Sequence, residues 1–296
     1  GSEMCIRDRT DVAHKNGVSV GCVMSIGYGA SVYLNQWRQD TYSKVLFKLS
    51  KKEGDKFIYA APFVRLMKYY GVNGIGFNSE FYTNAASMNQ LSEFFVACHK
   101  EAEKINWKFE VHWYDGTADS GYIRFDRGLG SHNEKIFGDK DNIATDMLFA
   151  NYNWDGGLLR SSVATANRLG RSSFDYYAGF DIQGRGLRQA SWSALLDNDI
   201  SIGFWGAHKQ SLIHQSATDN GTSDIAIQKT YLKKQELMFS GGYNNPGLLP
   251  AINTDCNLAN ASLKSFHGLA TFLTAKSTIQ PVSYTHLRAH ETVLDL

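Results

Sequence analysis

The sequence predicts an α/β fold, a (β/α)8 TIM barrel that is incomplete, with six of its eight strands legible. Three observations predict it. Short apolar strand patterns alternate with longer helical patterns along the interior of the chain, which implies parallel pairing through βαβ units. Within each strand pattern one face is bulky and apolar, and the other is small or polar and ends in a functional side chain. A closed parallel barrel requires that division, because helices cover its outside and the C-terminal strand ends form a mouth. An open doubly wound sheet would be apolar on both faces. It would also usually carry a glycine-rich phosphate loop after its first strand, and GYGAS (Gly27–Ser31) does not fit that pattern.

Six strands are expected, at Val18–Ile26, Asn73–Phe77, Lys108–Tyr114, Met147–Asn151, Asp175–Asp181 and Ile200–Trp205. Helical patterns fill the gaps. Thr41–Gly54 and Phe57–Gly71 precede the second strand, and Ser87–Asn106 follows it with Leu91, Phe94, Phe95, Cys98 and Ala102 on one face. Leu158–Gly170 and Ser191–Asp199 occupy two later gaps, and Ile227–Phe239 and Leu263–Lys276 follow the sixth strand. Residues two apart share a strand face. Ile75 and Phe77 therefore oppose Gly74, Gly76, Asn78 and Glu80, while Phe109, Val111 and Trp113 oppose Glu110, His112 and Tyr114. Tyr176, Ala178 and Phe180 oppose Tyr177, Gly179 and Asp181, and Ile200, Ile202 and Phe204 oppose Ser201, Gly203 and Trp205.

Composition narrows the function classes. The 296 residues are 43% hydrophobic and carry a formal net charge of +1, so no net field draws nucleic acid or an anionic membrane. No apolar run reaches the about 18 residues that a spanning helix needs. Cys5, Cys22, Cys98 and Cys256 lack metal or redox spacing and read as free thiols. No linker divides the chain, so the interior reads as one domain. No cofactor or metal site is expected, and composition leaves the oligomeric state open.

The chemistry concentrates in GIGFNSEFY (Gly74–Tyr82). Asn78 and Glu80 share a face where a buried strand ends. Glutamic acid serves as a general acid when a pocket raises its pKa toward neutrality. An ordinary glycosidase adds a second carboxylate as nucleophile or base. Here the neighbouring group is an amide, which both donates and accepts hydrogen bonds. A 2-acetamido sugar offers the matching partner, and its carbonyl oxygen can act as nucleophile in a substrate-assisted reaction. Trp154, Trp205, Asp181, Tyr28 and Asn151 are the candidate substrate contacts around such a mouth. For Trp154 and Trp205 the alternative is core packing. For Asp181 it is an ion pair with Arg185 that braces the rim. His112 reads as a lumen histidine below Tyr114.

The blocks AHKNGVSV (Ala13–Val20), GIGFNSE (Gly74–Glu80), HWYDG (His112–Gly116), LFANYNW (Leu148–Trp154) and YYAGFDIQGRG (Tyr176–Gly186) resemble, in order, those of glycoside hydrolase family 85. The resemblance implies an endo-β-N-acetylglucosaminidase that cuts between the two core N-acetylglucosamines of N-linked glycans with retention, through an oxazoline-type intermediate. It implies Glu80 as acid/base, Asn78 as the group that orients the acetamido function, and Tyr114 as the assisting tyrosine. Phe125 stands where that family tends to place a tryptophan. Two alternatives stay open: a carbohydrate-binding barrel without turnover, and a chitinase-like hydrolase. The implied partner is an N-glycan or glycoprotein, with no nucleic acid and no membrane. The compartment is open between cytoplasm and, if a signal peptide preceded this chain, a secreted or periplasmic location.

Both ends resemble translated adapter read-through of the kind that contaminates metagenomic genes, in EMCIRDR (Glu3–Arg9) and VSYTHLRAHETVLDL (Val282–Leu296). The domain reading is therefore 1–9 non-native, 10–281 a partial barrel domain, and 282–296 non-native. His286 and His290 in the tail are given no metal role. With two neighbouring strands missing, the barrel is expected to expose unpaired edges, which would compromise folding and turnover.

Overall fold

A computed structural model describes residues 2–15, 17–26, 45–182, 184–185, 194–195, 198–206, 223–239 and 269–272. Seven strands form one parallel sheet in chain order: β1 (Gly21–Ile26), β2 (Gly74–Ser79), β3 (Glu110–Tyr114), β4 (Met147–Phe149), β5 (Tyr176–Asp181), β6 (Ser201–Trp205) and β7 (Leu269–Phe272). The register runs Gly21 beside Gly74, Gly74 beside Glu110, His112 beside Met147, Leu148 beside Tyr176, Tyr177 beside Ser201 and Ile202 beside Leu269. Strands in sequential order with helical crossovers form the parallel half-barrel arrangement of a (β/α) fold.

Five longer helices accompany the sheet: α1 (Ser2–Lys15), α2 (Ala60–Tyr70), α3 (Ala85–Lys104), α4 (Gly156–Arg168) and α5 (Asp224–Phe239). Their ends follow local chemistry. The Asn84 side chain accepts from Ser87 N and the Asp155 side chain from Leu158 N, capping α3 and α4. Helix α2 stops at Gly71, whose φ of 72° is the left-handed conformation that glycine adopts without a Cβ penalty.

Two apolar clusters lie on opposite faces of the sheet. On the helix side, Ile75, Phe77, Val111, Trp113, Leu148, Ala178, Phe180 and Phe204 pack with Leu91, Phe94, Phe95 and Cys98 of α3. On the other side, Tyr114, Met147 and Phe149 gather Phe125, Tyr152, Tyr177 and Trp205. The alternation read from the sequence holds within the observed strands; Glu80, to which it was also applied, lies beyond the end of β2. The free thiol of Cys98 is buried and that of Cys22 lies on exposed β1; Cys5 and Cys256 have no described side chains.

Three expectations change. Among the described residues the parallel sheet has seven strands rather than six, because Leu269–Phe272 pairs with β6 where a helix over Leu263–Lys276 was expected. The Thr41–Gly54 pattern yields only a short helix at Phe47–Leu49, and Lys52–Glu53 turns back on Lys56–Phe57 as a two-stranded ribbon. Gly54, at φ 58°, makes that turn. Observed strands are also shorter at their ends, since β1 starts at Gly21 and β4 stops at Phe149. Most of Ser191–Asp199 lies outside the described residues. Helix α1 includes Glu3–Arg9, and there Arg7 donates to the Tyr69 carbonyl at 3.2 Å.

Candidate active site

The C-terminal ends of β2 and β3 are clamped together before any functional side chain is considered. Ser79 Oγ donates to the Tyr114 carbonyl at 2.5 Å. Thr117 N and Oγ1 both donate to the Ser79 carbonyl, at 2.7 and 2.9 Å. Gly116 permits this closeness, because a Cβ there would sit 2.2 Å from the Ser79 oxygen. Asn78 and Tyr114, next after the paired Phe77 and Trp113, are thereby held side by side, and Glu80 follows Ser79 just beyond the end of β2.

Asn78, Gly76, His112, Tyr114, Phe149, Trp205 and Val23 line one small hollow on the inner face. Phe149 forms its floor. The Phe149 ring crosses the inner faces of β5 and β6, and it fits only because those positions are glycine. A Cβ on Gly203 would lie 2.3 Å from Phe149 Cε2, and one on Gly179 would lie 2.7 Å from Cε1. Trp205 stacks on Tyr114 with centroids 6.4 Å apart and planes at 28°. Tyr152 and Phe125 flank Tyr114 at 6.3 and 6.0 Å.

Tyr114 is oriented by a hydrogen bond from its hydroxyl to Asn151 Oδ1, 3.0 Å long. Asn151 Oδ1 also accepts from Tyr152 N at 2.7 Å, which fixes the amide's orientation. Beneath them Asp115, 4% exposed, accepts from Arg127 N at 2.5 Å, Asn133 Nδ2 at 3.2 Å and Asn151 N at 3.4 Å. Burial pushes the Asp115 carboxyl up to about 7, with the Arg127 amide working the other way. Arg127 and Phe125 both hold left-handed backbone, at φ 62° and 55°, a cost of about 1–3 kcal/mol each that the surrounding contacts must offset.

Electrostatics join the acid to the tyrosines. Burial drives the Tyr114 hydroxyl well above its ordinary range, and the charges of Glu80, Asp115 and Asp181 push it further. Tyr152 is raised in the same way, by burial and then by Tyr114, Asp181 and Glu80, with Arg185 opposing. Both hydroxyls therefore stay protonated and available as donors. Glu80 and Asn78 are both half-buried; Asn78 lines the hollow, and Glu80 is not among its lining residues.

The other expected residues divide. Asn151 and Trp205 join the hollow or its wall. Asp181 stands near the tyrosines but is engaged by Arg185, with Nε to Oδ2 at 3.7 Å, and by Gly184 N at 2.9 Å. Trp154 packs instead on the helix side, against Phe180 at 5.5 Å, and its indole N–H donates to the Gly179 carbonyl at 2.9 Å. It is buried in the helix-side cluster, so the structure does not bring it to the mouth. Tyr28 lies outside the described residues. His112 sits in the lumen below Tyr114, beside Glu110 at 3.3 Å. Sequence reasoning passed over Tyr152, Asp115 and Phe149. Asp115 stood in plain view in the HWYDG block, and strand parity would have placed Phe149 beside Tyr114. Among the described residues no group of three or more His, Cys, Asp or Glu could hold a metal ion, and no helix is long and apolar enough to cross a membrane.

Comparison with known proteins bears on this geometry. The model of glycosyl hydrolase family 85 matches residues 7–286. The cytosolic endo-beta-N-acetylglucosaminidase of Gallus gallus is 27% identical over 177 residues, 60% of this chain and 22% of that protein. The cytosolic endo-beta-N-acetylglucosaminidase 1 of Arabidopsis thaliana is 26% identical over 194 residues, covering 64% and 25%. The chain thus spans about a quarter of the length of these relatives. The glycoside hydrolase domain of Endo-D from Streptococcus pneumoniae superposes with a TM-score of 0.60 at 24% identity, over 79% of this chain and 36% of that one. At that identity the likeness speaks for the fold.

Proposed function

The chain belongs to glycosyl hydrolase family 85, and from that premise we propose that it is the catalytic barrel of an endo-β-N-acetylglucosaminidase acting on the GlcNAc-β1,4-GlcNAc core of N-glycans. The fold would close as an eight-stranded barrel. The relatives named above support the substrate class, and their names favour a cytoplasmic location.

The mechanism follows from the side chains. Glu80 gives its proton to the glycosidic oxygen as the C1–O bond breaks. The 2-acetamido oxygen of the substrate attacks C1 from the opposite face, forming an oxazolinium ring that keeps its N–H and leaves C1 open to a second inversion. Asn78 holds the acetamido group by accepting from its N–H or donating to its oxygen, so the attacking atom is pre-positioned. Tyr114 keeps its single hydroxyl hydrogen, which it gives to Asn151 Oδ1 in this structure; turned to the acetamido oxygen, that hydrogen would hold the attacking atom toward C1. Water then opens the ring at C1, with Glu80 taking its proton. Trp205 and Tyr152 offer aromatic surface to the sugar.

The observation that carries this reading is that Asn78 and Tyr114 line one inner hollow, which at about 10 Å³ is smaller than a sugar ring and marks only the bottom of a binding site, and that the Glu80 charge acts on the Tyr114 hydroxyl. A chitinase-like reading expects carboxylates along the strand before the acid, where this chain has Gly74, Gly76 and Asn78. The test is to incubate the protein with a high-mannose glycopeptide and, separately, with chitin oligomers, and to weigh the products. One N-acetylglucosamine left on the peptide supports the proposal. Cleavage of chitin oligomers alone, or of neither, rejects it.

A further inference from the structure

A pair of tyrosines stands on the lip immediately beyond Glu80. Phe81 is fully buried and meets Trp113 edge-on, with centroids 6.0 Å apart and planes at 89°. Its amide and carbonyl are both tied to Thr117 Oγ1, at 3.1 and 2.8 Å. Phe81 is pinned beneath the lip, while its chain neighbours Glu80 and Tyr82 are half-buried and exposed, respectively. Tyr82 is 36% exposed and Tyr122 is 61% exposed, and their rings meet edge-to-face at 6.2 Å and 77°.

Their backbones are preset. Thr83 N donates to the Gly121 carbonyl at 2.8 Å, and an antiparallel bridge between Thr117 and Ile123 closes the second loop. Gly121 has φ 85°, and a Cβ there would fall 2.4 Å from Asn84 N. No other residue lets the two loops meet so closely. Asn84 in turn caps α3. The two rings are therefore mounted on a rigid rim rather than on a loose loop, and a preset aromatic surface binds with little loss of conformational entropy.

We propose that Tyr82 and Tyr122 form a sugar-binding subsite that takes a pyranose ring of the glycan away from the cleaved linkage. The occupant is argued from continuity: the pair is contiguous with Glu80 in the chain and shares the Thr117 clamp with it. Flat amphipathic rings with exposed faces match the apolar C–H face and polar edge of a pyranose. The inference rests on the glycosidase reading above.

The experiment compares KM and kcat of the parent and of Tyr82→Ala/Tyr122→Ala on two substrates, an extended high-mannose glycopeptide and a glycopeptide bearing only the two core N-acetylglucosamines. The platform predicts a KM rise of about tenfold on the extended substrate, equivalent to about 1.4 kcal/mol, and a smaller rise on the short one. Tyr82→Phe/Tyr122→Phe, which keeps both rings, should restore most of the affinity. Equal KM changes on both substrates, or no change on either, overturns the subsite while leaving the glycosidase reading standing. A parent protein that cleaves neither substrate removes both.

Discussion

The Tyr114 hydroxyl and the Asn151 side-chain oxygen lie 3.0 Å apart in a donor–acceptor contact, so the two residues act on the mouth as a unit. Removing the Tyr114 hydroxyl loses the donor, and removing Asn151 loses the acceptor that aims it. Tyr114→Phe and Asn151→Ala should each lower kcat/KM on a glycopeptide by about tenfold, the ratio that about 1.4 kcal/mol produces. The double variant should lose no more than the worse single one, because the contact is shared. Losses that multiply in the double variant would show that the two act independently.

Gly203 is glycine because Phe149 occupies its Cβ position. Gly203→Ala should destabilise the fold by about 1–3 kcal/mol, the usual cost of overpacking, and should disturb the Trp205–Tyr114 stack built on that floor. Trimming the ring with Phe149→Leu should recover part of the loss. Urea denaturation of the parent, Gly203→Ala and Gly203→Ala/Phe149→Leu measures it, and an unaffected Gly203→Ala midpoint would mean that the floor is not packed as described.

Stability should depend on pH with a definite sign. Burial raises the carboxyls of Asp115 and Asp119, to about 7 and about 6. Burial alone would lower His99, but its hydrogen bond to Asp146 overrides this and the group ends raised. These groups hold a proton more tightly folded than unfolded, so their stabilisation is full in acid and is lost as pH rises through those folded values. Glu110 runs the other way. Burial opposes its charge, yet His112 and Lys108 hold it down to about 2, so its stabilisation is present above its unfolded pKa and fades as pH falls toward 2. The denaturation midpoint should peak near about pH 4 and decline on both sides. Asp115→Asn should flatten the limb between about pH 4 and 7. A midpoint that climbs steadily from pH 5 to 8 would contradict the assignment.

The fold and the core of the site were readable because strand parity is a strict rule. Gly74–Ser79 shows it: Ile75 and Phe77 went under the helices, and Gly76 and Asn78 faced the hollow. Trp154 was unreadable for a physical reason. Parity can be followed only along an extended chain, and Asn153, at φ 64°, turns the backbone just before the tryptophan. Leu269–Phe272 misled because a four-residue apolar run fits a strand or a buried helix equally well. The edge of β6, invisible in the sequence, decided it. The ribbon at Lys52–Phe57 was missed although Gly54 marked its turn.

Asn78 is assigned to forming the oxazoline rather than to opening it. Asn78→Ala should cut hydrolysis of a glycopeptide by about 100-fold, within the range of pre-positioning effects, and slow consumption of a preformed oxazoline donor far less. Product analysis on both donors distinguishes the steps. Equal losses would assign Asn78 to general sugar binding.

The central claim is that Glu80 is the acid/base beside a substrate that supplies its own nucleophile. The most direct measurement is the single-turnover rate of glycan release from a glycopeptide by the parent and by Glu80→Gln, at saturating enzyme. The account predicts a fall of about 100-fold or more with substrate binding preserved. Release at the parent rate by Glu80→Gln would contradict it.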